Sequence, residues 1–219
     1  KNGANVIALP FTRVFGVLFN QNHSKVLLDN TVRQALNLSA PKERIVSEVL
    51  HGFGQTLNGP IPPELLNWID PAVTQSYEAR VASAKTMLAK AGWTLNPKTG
   101  ILEKKSKGAT LTLSFSISTG DAPELKAVGQ ILKEAWNQIG VKVDVLVFEM
   151  NDLNQNVIRP RAFDALLFGE VVGRDADVYP FWYSSERNDP GLNIAEYANS
   201  KVDKLLDTAR QTKSDTTKK

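Results

Sequence analysis

The chain has 219 residues, 42% hydrophobic and 22% charged, which is the composition of a folded globular protein and outside that of disordered or membrane-spanning chains. Its 26 Lys and Arg against 23 Asp and Glu leave a formal charge of only +3. Spread along the chain, that charge argues against nucleic acid as a partner, so Lys104, Lys105 and Lys107 and the Lys218–Lys219 end read as solvated. The absence of cysteine excludes disulfides, thiolate metal sites and cysteine nucleophiles.

The opening residues, KNGANVIALPF, lack the order of a signal peptide, so the start is expected to lie inside a longer protein. Arg13 to Asn20 reads as a buried strand on the strength of Val14, Phe15, Val17, Leu18 and Phe19. A helix follows at DNTVRQALNLS, where Asp29 or Asn30 caps and Val32, Ala35, Leu36 and Leu38 mark one face. A second runs from about Pro41 to Leu50. Glycines and prolines between Gly52 and Pro71 forbid regular structure, while Phe53, Leu57, Ile61, Leu65, Leu66, Trp68 and Ile69 predict a loop packed on the domain as a crust.

SYEARVASAKTMLAKAGW predicts a helix that Gly92 ends in a left-handed conformation, with Trp93 sealing it. A hairpin around NPKTG comes next, and Lys104 to Gly108 is expected as its exposed continuation. TLTLSFSIS alternates Leu111, Leu113, Phe115 and Ile117 inward as one strand. In the helix after it, Asp121 and Glu124 have capping-box spacing, and Leu125, Val128, Ile131, Leu132, Ala135, Trp136 and Ile139 form one stripe before Gly140. VKVDVLVFE, a short helix at about Asn151 to Ile158, and FDALLFGEV complete a β-α-β-α-β unit with largely parallel strands. The final helix is expected to be boxed by Ser200 and Asp203 and to bury Val202, Leu205, Leu206 and Ala209. The fold class is therefore α/β (mixed α+β), a βαβαβ core with additional helices and a hairpin, in one unit over residues 1–219.

Catalytic signatures are missing: no G-x-S-x-G elbow, Walker loop, G-x-G-x-x-G or H-E-x-x-H occurs, and His23 and His51 each stand alone. Neither a catalytic residue, a metal site nor a cofactor is expected. Asp175 and Asp177 sit two apart and would share a face of an extended segment, either as solvated or capping groups, as an acid–base pair, as a cation site, or as a charged wall beside Trp182 and Tyr183 in a ligand cleft.

The segment order resembles family 5 bacterial extracellular solute-binding proteins. Phe19 and Asn20 end a strand, Asp29, Val32, Arg33, Ala35 and Leu36 follow in "d-x-x-V-R-x-A-l", and AKTMLAKAGW, IGVKVDV, RAFDALLFG and NIAEYANSKVDKLLDTA succeed one another in family order. The resemblance implies a lobe of the type II periplasmic-binding fold, closing on ligand by hinge motion against a lobe not in this chain. It implies a peptide receptor outside the cytoplasmic membrane, periplasmic or lipid-anchored, that serves ABC permease subunits as a monomer. Nickel complexes, haem and sugars are alternative solutes, and an α/β enzyme using Asp175 or Asp177 is the alternative of another class.

In oligopeptide-binding members an aspartate after the "fd-x-x-x-x-G" strand receives the ligand's amino terminus. Counting back without gaps from Asn193 places Asp175 there, whereas counting forward from Phe163 and Asp164 does not, because two extra residues intervene, and Asp177 is the substitute. The tryptophan usual after the strand's glycine is Glu170 here. Arg159 and Arg161 stand where some members hold the ligand carboxylate, with a solvated helix end as the other reading. The ligand-binding candidates are thus Asp175, Asp177, Trp182, Tyr183, Asn193, Arg159 and Arg161.

Overall fold

A computed structural model describes residues 13–62, 74–106, 108–172 and 177–212. In chain order its elements are β1 (Arg13–Phe19), α1 (Asn30–Ser39), α2 (Lys42–Glu48), α3 (Tyr77–Lys90), β2 (Thr94–Leu95), β3 (Leu102–Ser106), β4 (Ala109–Thr112), β5 (Ser114–Gly120), α4 (Pro123–Asn137) and β6 (Lys142–Phe148). A helix α5 (Met150–Asp152) then widens into a π-helical turn (Leu153–Ile158), followed by β7 (Ala165–Val171), α6 (Tyr179–Trp182), a 3-10 turn (Ser184–Arg187) and α7 (Ser200–Gln211).

The main sheet has four strands in the order β1-β7-β5-β6. β5 is parallel to both β6 and β7, and β1 runs antiparallel to β7 along its whole length. The two-residue period of these strands sends Phe115, Ile117, Val143, Ala165 and Leu167 to one face, where they meet Val32, Leu36, Leu88, Leu132 and Trp136 from α1, α3 and α4. Leu18, Phe148, Leu166 and Phe168 go to the other face, against Leu153, Val157 and Ile158. The central strands β5 and β7 are therefore largely buried on both faces, while the outer strands β1 and β6 are only partly covered.

Several expectations hold in detail. Asp29 caps α1 by accepting from the Thr31 N–H at 2.9 Å, Gly92 and Gly140 take φ of 87° and 82°, and Trp93 and Trp136 are buried. Trp136 also donates from its indole Nε1 to the Leu36 carbonyl at 3.0 Å, which joins α4 to α1.

Others are corrected. TLTLSFSIS breaks at Leu113: its N–H donates to Leu102 at 2.8 Å and its carbonyl accepts from Lys142 at 3.0 Å, so the residue passes the chain from one sheet to the other. Residues Leu102–Ser106 are consequently the middle strand of a three-stranded sheet, β2-β3-β4, and not an exposed end of a hairpin. β1 is an outer strand and only partly buried, with Phe15 49% exposed. The Asp121–Glu124 box does not form, because Pro123 occupies the first turn of α4 and Ala122 is its cap. Asn199, not Ser200, caps α7 by accepting from Lys201 and Val202, and none of the α7 side chains is buried, Leu205 being 68% exposed. In the Gly52–Pro71 loop Phe53 is 79% exposed, whereas Leu57 is half-buried and its carbonyl accepts from Lys42 at 2.8 Å; Leu65, Leu66, Trp68 and Ile69 lie outside the described residues.

Candidate functional site

The C-terminal ends of parallel strands leave a crevice wherever neighbouring connections depart to opposite sides. Here the connection after β5 leads to β6 on one side, and the connection after β6 returns past β5 to β7 on the other. β5 and β7 stop pairing at Thr119 and Leu167, so among the described residues the last part of β7 has β1 on one side and no strand on the other. Gly120 closes β5 flat: a Cβ there would stand 3.3 Å from the Met150 Cε and 3.5 Å from Leu125. Met150, Leu146, Val147 and Val171 leave exposed apolar surface at this end of the sheet.

Glu170 lies on the overhanging part of β7, on the face shared by Leu166 and Phe168 and opposite Val14 of β1. It is half-buried, and burial alone pushes its carboxyl up to about 7. Sequence reading met this residue only as a departure from a motif; the available signal was a carboxylate interrupting the otherwise apolar run ALLFGEVV.

The segment after β7 carries the aromatic candidates. Tyr179 and Tyr183, one helical turn apart, stack at 4.1 Å, and the Arg210 guanidinium of α7 lies 3.7 Å over the Tyr179 ring. Arg210 also grips Asp177 with both of its contacting nitrogens, the shorter contact being 2.7 Å, and Asp177 accepts from the Tyr179 N–H. The Tyr183 hydroxyl donates to Asp207 at 3.3 Å, and hydrogen bonding to Tyr179, burial and Asp207 push this phenol up to about 12. Trp182 meets Tyr197 edge-on at 6.0 Å. Asp177, Trp182 and Tyr183 are therefore brought into one neighbourhood, with α7 supplying partners that the sequence did not indicate. Asp175 lies outside the described residues.

Asn193 is fully buried and serves the loop itself. Its amide nitrogen donates to the Tyr183 and Tyr197 carbonyls at 3.0 and 2.8 Å, and its oxygen accepts from the Tyr197 N–H at 3.1 Å. Arg161 is buried as well, which corrects the solvated-helix-end reading for that residue. It donates to the carbonyls of Ile158, Arg187 and Gly191 at 2.7, 3.0 and 2.7 Å, so its planar fork is fully engaged by backbone. Arg159 is exposed and pairs with Asp189 at 3.2 Å. Both arginines precede β7 and so stand at the end of that strand opposite to Glu170.

At that same end the motif residues Asn20 and Asp164 act as staples. The Asn20 amide donates to the Arg161 carbonyl at 2.9 Å and accepts from the Asn22 and His23 N–H groups, while Asp164 accepts from the Ser116 N–H and hydroxyl at 2.9 and 3.0 Å and meets the His23 ring at 3.0 Å. His23 thus stabilises a strand junction. Among the described residues no three His, Asp or Glu side chains converge as metal ligands, and no helix is long and apolar enough to cross a membrane.

Residues 1–191 match the family described as bacterial extracellular solute-binding proteins, family 5 Middle. The chain belongs to this family. It is 31% identical over 189 residues to the oligopeptide-binding protein AppA of Bacillus subtilis, covering 85% of this chain and 34% of that protein. The structure of AppA in complex with a nonapeptide superposes with a TM-score of 0.80 at 29% identity, over 93% of this chain and 40% of that one. NikZ of Campylobacter jejuni in complex with Ni(L-His) superposes with a TM-score of 0.76 at 28% identity, over 93% of this chain and 40% of that one. Heme-binding protein A of Haemophilus influenzae is 28% identical over 196 residues, 86% of this chain and 32% of that protein. The chain spans about a third of the length of these curated relatives. The mixed α/β architecture and the chain's membership of this solute-binding family are thereby established, and the relatives named here are solute-binding proteins.

Proposed function

We propose that residues 1–219 form the ligand-binding lobe of a monomeric receptor that captures peptides outside the cytoplasmic membrane and delivers them to ABC permease subunits. The observation that carries this reading is the superposition of nearly the whole chain on a relative holding a nonapeptide. The sheet end described above fits it, since an apolar rim with few polar groups encloses a flexible ligand once a second lobe closes over it. Asp175 or Asp177 meets the ligand's amino group, and Trp182 and Tyr183 wall the site. The ion pair with Arg210 counts against Asp177 both as a catalytic base and as the group that meets the amine, which favours Asp175 for the latter.

Calorimetric titration of the intact receptor with a nonapeptide mixture, with the peptides analysed afterwards, tests the reading. Saturable binding with peptides recovered whole is expected; cleavage or the absence of binding contradicts it. Preferential uptake of a nickel–histidine complex or haem would move the receptor to the branch represented by NikZ or heme-binding protein A.

A further inference from the structure

We propose that Glu170 is a specificity-determining residue that selects ligands carrying a cationic side chain, an ammonium or a guanidinium. The inference rests on the receptor reading and goes beyond it, since it concerns a residue outside the Asp175–Asp177 segment.

Glu170 stands where β7 has run past its β5 partner, so one flank of the strand opens into the crevice at the end of the parallel sheet. Its face of the sheet is apolar: β1 presents Val14, Gly16 and Leu18 there, β7 presents Leu166 and Phe168, and the helix after β6 presents Leu153, Val157 and Ile158. β5 adds Ser118 and Gly120, β6 adds Leu146 and Phe148 with the Lys142–Asp144 pair at the far end of that strand, and the loop after the 3-10 turn adds Ile194, so the residues named at this end of the face carry no titrating side chain. The nearby cation Arg13 belongs to the opposite face, where it lies 5.0 Å over Phe15. Among the described residues no hydrogen bond or ion pair engages the Glu170 carboxylate, and burial is the sole cause of its raised affinity for a proton.

A carboxylate kept half-dehydrated without a partner weakens the fold, and such costs concentrate at sites of function. When a lobe closes and water leaves, the ionised group can only accept, so a cation is the complement that offsets its desolvation. A neutral or acidic ligand side chain at that place favours the protonated form, and this couples selectivity to pH around neutrality.

The test uses the intact receptor, titrated calorimetrically with Ala-Lys-Ala, Ala-Ala-Ala and Ala-Glu-Ala at pH 6 and pH 8. The terminal groups common to all three cancel in affinity ratios. The lysine-to-alanine preference is expected to rise about tenfold between the two pH values, as a group titrating near 7 becomes ionised. Glu170→Gln should abolish both the preference and its pH dependence while Ala-Ala-Ala still binds, and Glu170→Asp should retain a reduced preference. Equal preference in wild type and Glu170→Gln, with all peptides binding, overturns the assignment and leaves the receptor reading intact. Binding of none of the peptides to wild type overturns both.

Discussion

The Arg161 guanidinium reaches the Gly191 carbonyl at 2.7 Å, tying the turn before β7 to the loop that returns after it. Because the same side chain also holds Ile158 and Arg187, Arg161→Ala leaves three carbonyls short of a donor in a buried place. Urea denaturation is expected to show a loss of about 2–4 kcal/mol. Arg161→Lys should recover little of it, since an ammonium cannot span the planar fork; full recovery by lysine would show that charge alone is at work.

Leu113 is fully buried at the passage between the two sheets, so Leu113→Ala should cost about 3–5 kcal/mol, toward the upper end of buried leucine truncations. Amide hydrogen exchange should quicken in both β3–β4 and β5–β6. Quickening confined to one sheet would contradict the linking role.

Glu170 makes stability depend on pH in a defined direction. Its folded value of about 7 lies above its ordinary 4.5, so the folded state holds the proton more tightly. Stability is full below about pH 4.5, falls as pH rises to about 7, and stays low above that, a change on the order of 2–3 kcal/mol before other groups are counted. Glu170→Gln should therefore stabilise the protein at pH 8 and change it little at pH 4.5. Chemical denaturation at the two pH values checks this, and equal effects at both would contradict it.

Asp175→Ala and Asp177→Ala separate the two carboxylates. The one that meets a ligand ammonium should lose roughly 1.5–3 kcal/mol of affinity in calorimetry. The Asp177–Arg210 pair is about half-exposed, so Asp177→Ala should change stability by about 1 kcal/mol or less. A larger loss would make Asp177 a structural residue first.

Periodicity carried the parts of the fold that periodicity governs. The α4 stripe ending in Trp136 and Ile139, the left-handed Gly92 and Gly140, and the β5–α4–β6 unit follow from spacing alone. What escaped depends on partners distant in sequence. The break at Leu113 needs Leu102 and Lys142, the burial of Arg161 needs the Gly191 loop, and the engagement of Asp177 needs Arg210, 33 residues away. The local capping signal misled at α7, where Ser200 is expected at the start but the preceding Asn199 is the residue whose oxygen meets the free N–H groups. Glu170 escaped for the same reason as Arg161: a charge in a strand acquires its meaning from the surface around it.

Native mass spectrometry of the intact receptor, purified without added solute, tests the central claim most directly. Mild activation should release intact, heterogeneous peptides enriched in lysine and arginine from a one-to-one complex. A protein that emerges empty and binds none of its lysate's peptides when they are returned, or one that converts them chemically, would contradict it.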